Sequence, residues 1–275
     1  MRKRAKLYAI SNTIAFVIAN VISYLSNTRI FNNKTIADVS DKYNALFVPA
    51  GFTFAIWGLI YTSLYAFVIY HLVKAFKNDI DHEANKDVLK INWLFIINNI
   101  ATAAWVIAWV NEMLIISVLL ILVQLVTLIL INIRLHIYNP LRSLASKAFT
   151  QFPLAIYFGW ICIATIANIS SCLYGLGWNG GAVSAELWTV ILIGIAALLS
   201  VFIILTQKDI FFGLVVIWAL FGIISKRKME GADNYISIIS SAQVAIVVIA
   251  IVILVQLIRN SKTSKPDDLR LNSNT

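Results

Sequence analysis

The sequence predicts an all-α membrane protein, a polytopic bundle of about eight transmembrane helices, and three observations predict it. Apolar residues make up 60% of the 275-residue chain and charged residues only 13%, more hydrophobic surface than a soluble globule of this length can hide. The apolar residues gather in runs close to the length that crosses a hydrocarbon core about 30 Å thick at about 1.5 Å rise per residue. The charged residues collect in short segments between those runs.

The chain opens with MRKRAK and an apolar run to about Leu25. This has the order of a signal peptide, but no clear small-x-small cleavage site follows, so we expect an uncleaved first helix with its N-terminus inside. Ser26 to Leu46 is a polar loop, the longest candidate for a lid. The second helix covers Phe47 to Val73, with Pro49 and Gly51 at its start, where a missing N–H has no intrahelical partner to lose. Lys74 to Asn92 carries both charge signs and reads as a solvated connection.

Further helices follow at Trp93 to Val110, Leu114 to Ile133, Phe149 to Leu173, Leu187 to Thr206, Ile210 to Ser225 and Tyr235 to Ile258. Asn111-Glu112 and Gln207-Lys208-Asp209 are connections short enough to make their flanking helices antiparallel neighbours. Gly175 to Gly181 breaks the chain, and Asn260 to Thr275 reads as a disordered cytoplasmic tail. With the N-terminus inside, segments on that side carry 16 Lys and Arg against 6 outside, which favours both termini inside. The Lys226-Arg227-Lys228 cluster is the discordant item.

Function classes narrow by what the spans carry. The net charge of +9 lies between apolar runs and forms no basic stripe interleaved with base-stacking rings, so no nucleic acid partner is expected. Cys162 and Cys172 lie ten residues apart in one helix, ~15 Å at helical rise, too far to bridge. No Asp, Glu, Lys or Arg sits well inside a predicted span. His71, His82 and His136 read as isolated at helix ends or in loops, and no metal motif or nucleophile-base pair is present. We expect no catalytic residue, no metal and no covalently bound cofactor.

What the spans do carry is a set of rings and amides in register. Phe54, Trp57, Tyr61 and Tyr65 follow at steps of three and four along one face of the second helix. Asn98, Ala101, Trp105, Trp109 and Glu112 share a side of the third. Pro153, Tyr157, Trp160, Ala164 and Asn168 share a side of the fifth. One such face is ordinary packing. Three faces that mix rings with small residues or amides suit a concave pocket for a flat, amphipathic ligand. Gln124 and Gln243 are expected to bond between helices, worth about 1 kcal/mol each. Glu112 reads as a solvated residue at the pocket mouth.

The P-x7-W-x3-Y spacing of Pro49, Trp57 and Tyr61, after a first helix and a long loop, resembles the start of the second helix in the TspO/translocator protein family of tryptophan-rich sensory proteins. The W-x3-A-x3-N spacing of Trp160, Ala164 and Asn168 is similar to that family's fifth-helix signature. The resemblance covers about Leu7 to Leu173. It implies a five-helix bundle over residues 1–173; the additional three-helix transmembrane region read over 174–259 has no counterpart in that five-helix family. It further implies a pocket for a tetrapyrrole such as protoporphyrin, or for a sterol-like or lipid ligand, under the first loop. Light-dependent porphyrin breakdown, with tryptophans as electron donors, is linked to family members. Only Pro49 stands where the family usually has two adjacent prolines.

From this we expect an integral protein of a bacterial cytoplasmic membrane, a binding or sensory protein whose partners are membrane lipid and a small hydrophobic ligand. The expected ligand-binding residues are Pro49, Phe54, Trp57, Tyr61, Asn98, Ala101, Trp105, Trp109, Tyr157, Trp160, Ala164 and Asn168. Two other readings stay open: a small-molecule transporter using the same pocket, and assembly, including a homo-oligomer, through the last three helices.

Overall fold

The computed structural model describes residues 1–136, 142–178, 181 and 183–263, with side chains described as far as residue 260. Every regular element among them is a helix. Seven helical stretches are long and apolar enough to cross a membrane, and a bent pair supplies an eighth crossing. The chain is an integral membrane protein.

The first span is α1 (Arg2–Asn27). A short helix, α2 (Ile36–Lys42), follows in the loop, and a 3-10 turn, Gly51–Ala55, leads into α3 (Ile56–Lys77). The connection read as solvated instead forms α4 (Glu83–Ile91), bent by 58° from α5 (Leu94–Val110) at Asn92. The correction has a simple cause. Ala84, Val88 and Ile91 fall on one face and are buried, while Glu83, Lys86 and Lys90 hide that periodicity in the composition.

α6 (Leu114–Leu135) returns antiparallel to α5, as the short connection through Asn111 and Glu112 requires. α7 (Leu144–Ser146) and a π turn, Lys147–Gln151, precede α8 (Phe152–Gly175), which is buried on most of its faces and forms the centre of the bundle. The turn places Thr150 against His71, which is buried in α3 rather than isolated. Its Nδ1 lies 2.8 Å from the Phe67 carbonyl oxygen and its Nε2 lies 3.3 Å from Thr150 Oγ1.

The last three helices are α9 (Ala185–Gln207), α10 (Ile210–Met229) and α11 (Ile236–Thr263). One hydrophobic core runs from Phe16 of α1 through α8 to Ile253 of α11. α10 packs closely on α8 at Gly159, where an added Cβ would lie 3.3 Å from the Phe212 backbone. It also meets the entry to α3. Ala50 N–H donates to the Gly222 carbonyl at 3.1 Å, and Trp218 Nε1–H donates to the Thr53 carbonyl at 2.9 Å. A Cβ at Gly222 would collide with the Thr53 hydroxyl, so glycine is required there. The additional helices therefore buttress the corner that begins at Pro49.

α10 extends through Lys226-Arg227-Lys228, which the sequence suggested was loop. Arg227 is fully buried and pairs with Glu230, its guanidinium 5.1 Å from the Tyr235 ring, and Lys226 pairs with Asp41 of α2 at 3.2 Å. Two of the three cations are thus held by partners at the lid end, which accounts for a basic cluster where the charge count disfavours one. Gln243, expected between helices, is exposed on α11. The expected tail falls mostly on 264–275, outside the described residues, as do 179, 180 and 182 of the glycine-rich break.

Candidate functional site

The lid end of the bundle is built from α2 downward. Thr35 caps α2 by accepting from Asp38 N–H at 3.1 Å, while the Asp38 carboxylate accepts from Thr35 N–H at 2.9 Å. That box sets the direction of a seven-residue helix that could not hold itself in water. Val39 then buries against Trp109, Leu114 and Cys172, and Trp109 Nε1–H donates to the Ile36 carbonyl at 3.1 Å.

Glu112 locks the lid from the other side. Lys34, Lys42 and Tyr43 all bond its carboxylate, the Tyr43 hydroxyl at 2.6 Å, and the side chain is only 15% exposed. The solvated reading of Glu112 is corrected accordingly. Its bonds to Lys34, Lys42 and Tyr43 hold the carboxyl well below its usual range, at about 2. No sequence spacing signals this latch, because Lys34 and Glu112 lie 78 residues apart.

Beneath the lid, three helices bring their rings together. Trp57 from α3, Trp105 and Trp109 from α5, and Trp160 from α8 line one hollow, joined by Pro49, Phe54, Ala164 and Asn168. The stacked pair Trp105 and Trp109 lies 5.8 Å centroid to centroid, and Trp57 meets Trp160 edge-on at 6.1 Å. Trp105 Nε1–H donates to Asn168 Oδ1 at 3.2 Å, and Asn168 Nδ2 donates to Ser117 Oγ at 3.0 Å. Trp160 is 2% exposed and its indole N–H has no acceptor among the described residues.

The remaining sequence-predicted residues stand elsewhere. Tyr61 lines a neighbouring cavity of about 140 Å³, and its hydroxyl donates to Ser23 Oγ at 3.1 Å. Asn98, Ala101 and Tyr157 line neither space. Tyr157 Oη donates to Asn98 Oδ1 at 2.8 Å, and Asn98 Nδ2 donates to Thr127 Oγ1 at 2.9 Å and to the Gln124 carbonyl at 3.0 Å, which ties α5, α6 and α8 together behind the rings. Tyr65 leaves the stripe, its hydroxyl on Asn20 at 2.9 Å.

Sequence reasoning missed Ile36, Ser40, Val48, Ile163, Ala167 and Ser171, which also line the hollow. Ala167 and Ser171 continue the face of Trp160 and Ala164 at helical spacing and were legible there. Ile36 and Ser40 are one turn apart on α2 and could be found only once the lid was known to fold inward.

The hollow is narrow. The space between the rings is about 40 Å³, and Phe54, Trp57, Trp105 and Ile36 line both it and the 140 Å³ cavity. Those side chains form a partition. Ligand pockets are commonly about 300–1,000 Å³, so a flat ligand of drug size needs the partition or the lid to move.

No curated protein and no solved structure gives a significant match to this chain. A family model described as TSPO-like protein matches residues 9–255, a span that runs past Leu173 and through the three C-terminal helices. With four of its tryptophans gathered under a helical lid at the corner that Pro49 begins, the chain belongs to the TSPO-like protein family.

Proposed function

We propose that the chain is a membrane-embedded binding or sensory protein that takes a flat, largely hydrophobic ligand, such as a tetrapyrrole or sterol-like molecule, into the tryptophan hollow. The observation that carries this is the convergence of four indoles from three separate helices under α2, one of them with a buried N–H that lacks an acceptor. Indole faces supply stacking area, and the Trp160 N–H selects a ligand with a carbonyl or carboxylate edge. Binding proceeds by opening. The ligand swings Trp57 or Trp105 out of the partition and merges the two cavities, or enters as α2 lifts.

Protoporphyrin titrated into the purified protein should quench tryptophan fluorescence saturably. A Trp57→Ala, Trp160→Ala double variant that binds it as tightly as the parent would remove the proposed site. Uptake of the same ligand into proteoliposomes separates a binder from a transporter, because only the latter gives saturable accumulation.

A further inference from the structure

The three C-terminal helices build a second pocket at the lid end. It has a volume of about 270 Å³ and lies between Asn44 to Phe47 of the segment after α2, the end of α8, the start of α9, and Tyr235 of the 3-10 turn that leads into α11. Tyr174, Trp178, Trp188 and Tyr235 give it four rings, with Trp178 and Trp188 edge-on at 5.2 Å.

Among the described residues that line it, the one buried donor without an acceptor is the Trp188 indole N–H. A buried donor left without an acceptor is costly, so the pocket is completed by a ligand that brings one. Arg227 stands behind the wall, against Tyr235 and within 3.4 Å of the Asn44 amide oxygen, but its charge is matched by Glu230, which accepts from the Asn44 amide at 3.0 Å, so the Trp188 donor and not the wall's charge sets the ligand's chemistry. Tyr174 is 53% exposed and Trp178 39%, so the mouth opens at the helix ends, where membrane aromatics meet lipid head groups.

We propose that this pocket binds the carboxylate or ester-carbonyl end of a single acyl chain. The Trp188 N–H donates to the carbonyl oxygen, and the rings pack the adjoining methylenes. The site is separate from the tryptophan hollow, yet the two share a wall. Leu46 and Phe47 face this pocket, and the next residues, Val48 and Pro49, face the hollow.

The test uses the full chain in nanodiscs and two brominated probes, since bromine quenches an indole that it touches. One is 11-bromoundecanoic acid and the other a phospholipid with brominated acyl chains, which separates a free acid from a membrane lipid as the source. At least one probe should quench saturably. Trp188→Phe, which keeps the ring and removes the donor, should raise the half-saturating concentration about tenfold, with Trp178 left in place to report. Ala185→Trp, at an exposed position on the rim, should fill the mouth and abolish the saturable component. Quenching that never saturates with either probe, or half-saturation unmoved by both variants, would overturn the proposal.

Discussion

The indole N–H of Trp105 donates to Asn168 Oδ1 across 3.2 Å, so the ring that divides the two cavities is fixed by an amide on a different helix. The same amide holds Ser117 of α6, and one side chain thereby ties α5, α6 and α8 at the wall of the hollow.

Asn168→Leu should strand the Trp105 N–H and free the ring to turn. The expected cost is about 1–3 kcal/mol of stability, the usual range when a buried donor loses its partner. Thermal unfolding in detergent checks the cost, and a changed Trp105 emission in an otherwise tryptophan-depleted background checks the motion.

Glu112 should set how fast the lid opens. Glu112→Gln weakens the latch made by Lys34, Lys42 and Tyr43, so ligand association should accelerate severalfold while the bundle stays folded. Stopped-flow quenching measures it. An unchanged association rate would mean that ligand does not enter under α2.

The pH dependence follows from the same carboxyl. Its ordinary value is 4.5 and the latch lowers it to about 2, so the latch's contribution is complete above about pH 4.5 and is lost as pH falls towards 2. Association rates should be flat from pH 7 to 5 and rise only below that. A rise centred between pH 6 and 7 would point to a different group.

Much of the fold was legible because span length and ring spacing are local properties. Trp57 and Tyr61, Trp105 and Trp109, and Trp160 and Ala164 each declare a helical face by themselves. The latch was not legible, because ion pairs such as Lys42 with Glu112 join residues whose separation carries no period. Nor was α4, whose buried face at Ala84, Val88 and Ile91 is interrupted by Asp87, a carboxylate that survives burial by pairing with Arg142. The narrowness of the hollow depends on side-chain rotations that no pattern of residue types encodes.

Gly222 gives a test of the C-terminal helices. Gly222→Ala should push α10 away from Thr53 and Pro49, since the new methyl meets the Thr53 hydroxyl. Overpacking of this kind costs about 1–3 kcal/mol. The account expects lower thermal stability and weaker ligand binding together. A Thr53→Ala change in the same background should recover part of both.

The most direct measurement is a structure of the protein with protoporphyrin bound. The account predicts ligand density between α3, α5 and α8, with the Trp57 or Trp105 ring turned aside and a carboxylate or ring edge within hydrogen-bonding reach of Trp160 Nε1. Ligand bound on the lipid-facing surface, with all four indoles unmoved and the hollow empty, would contradict it.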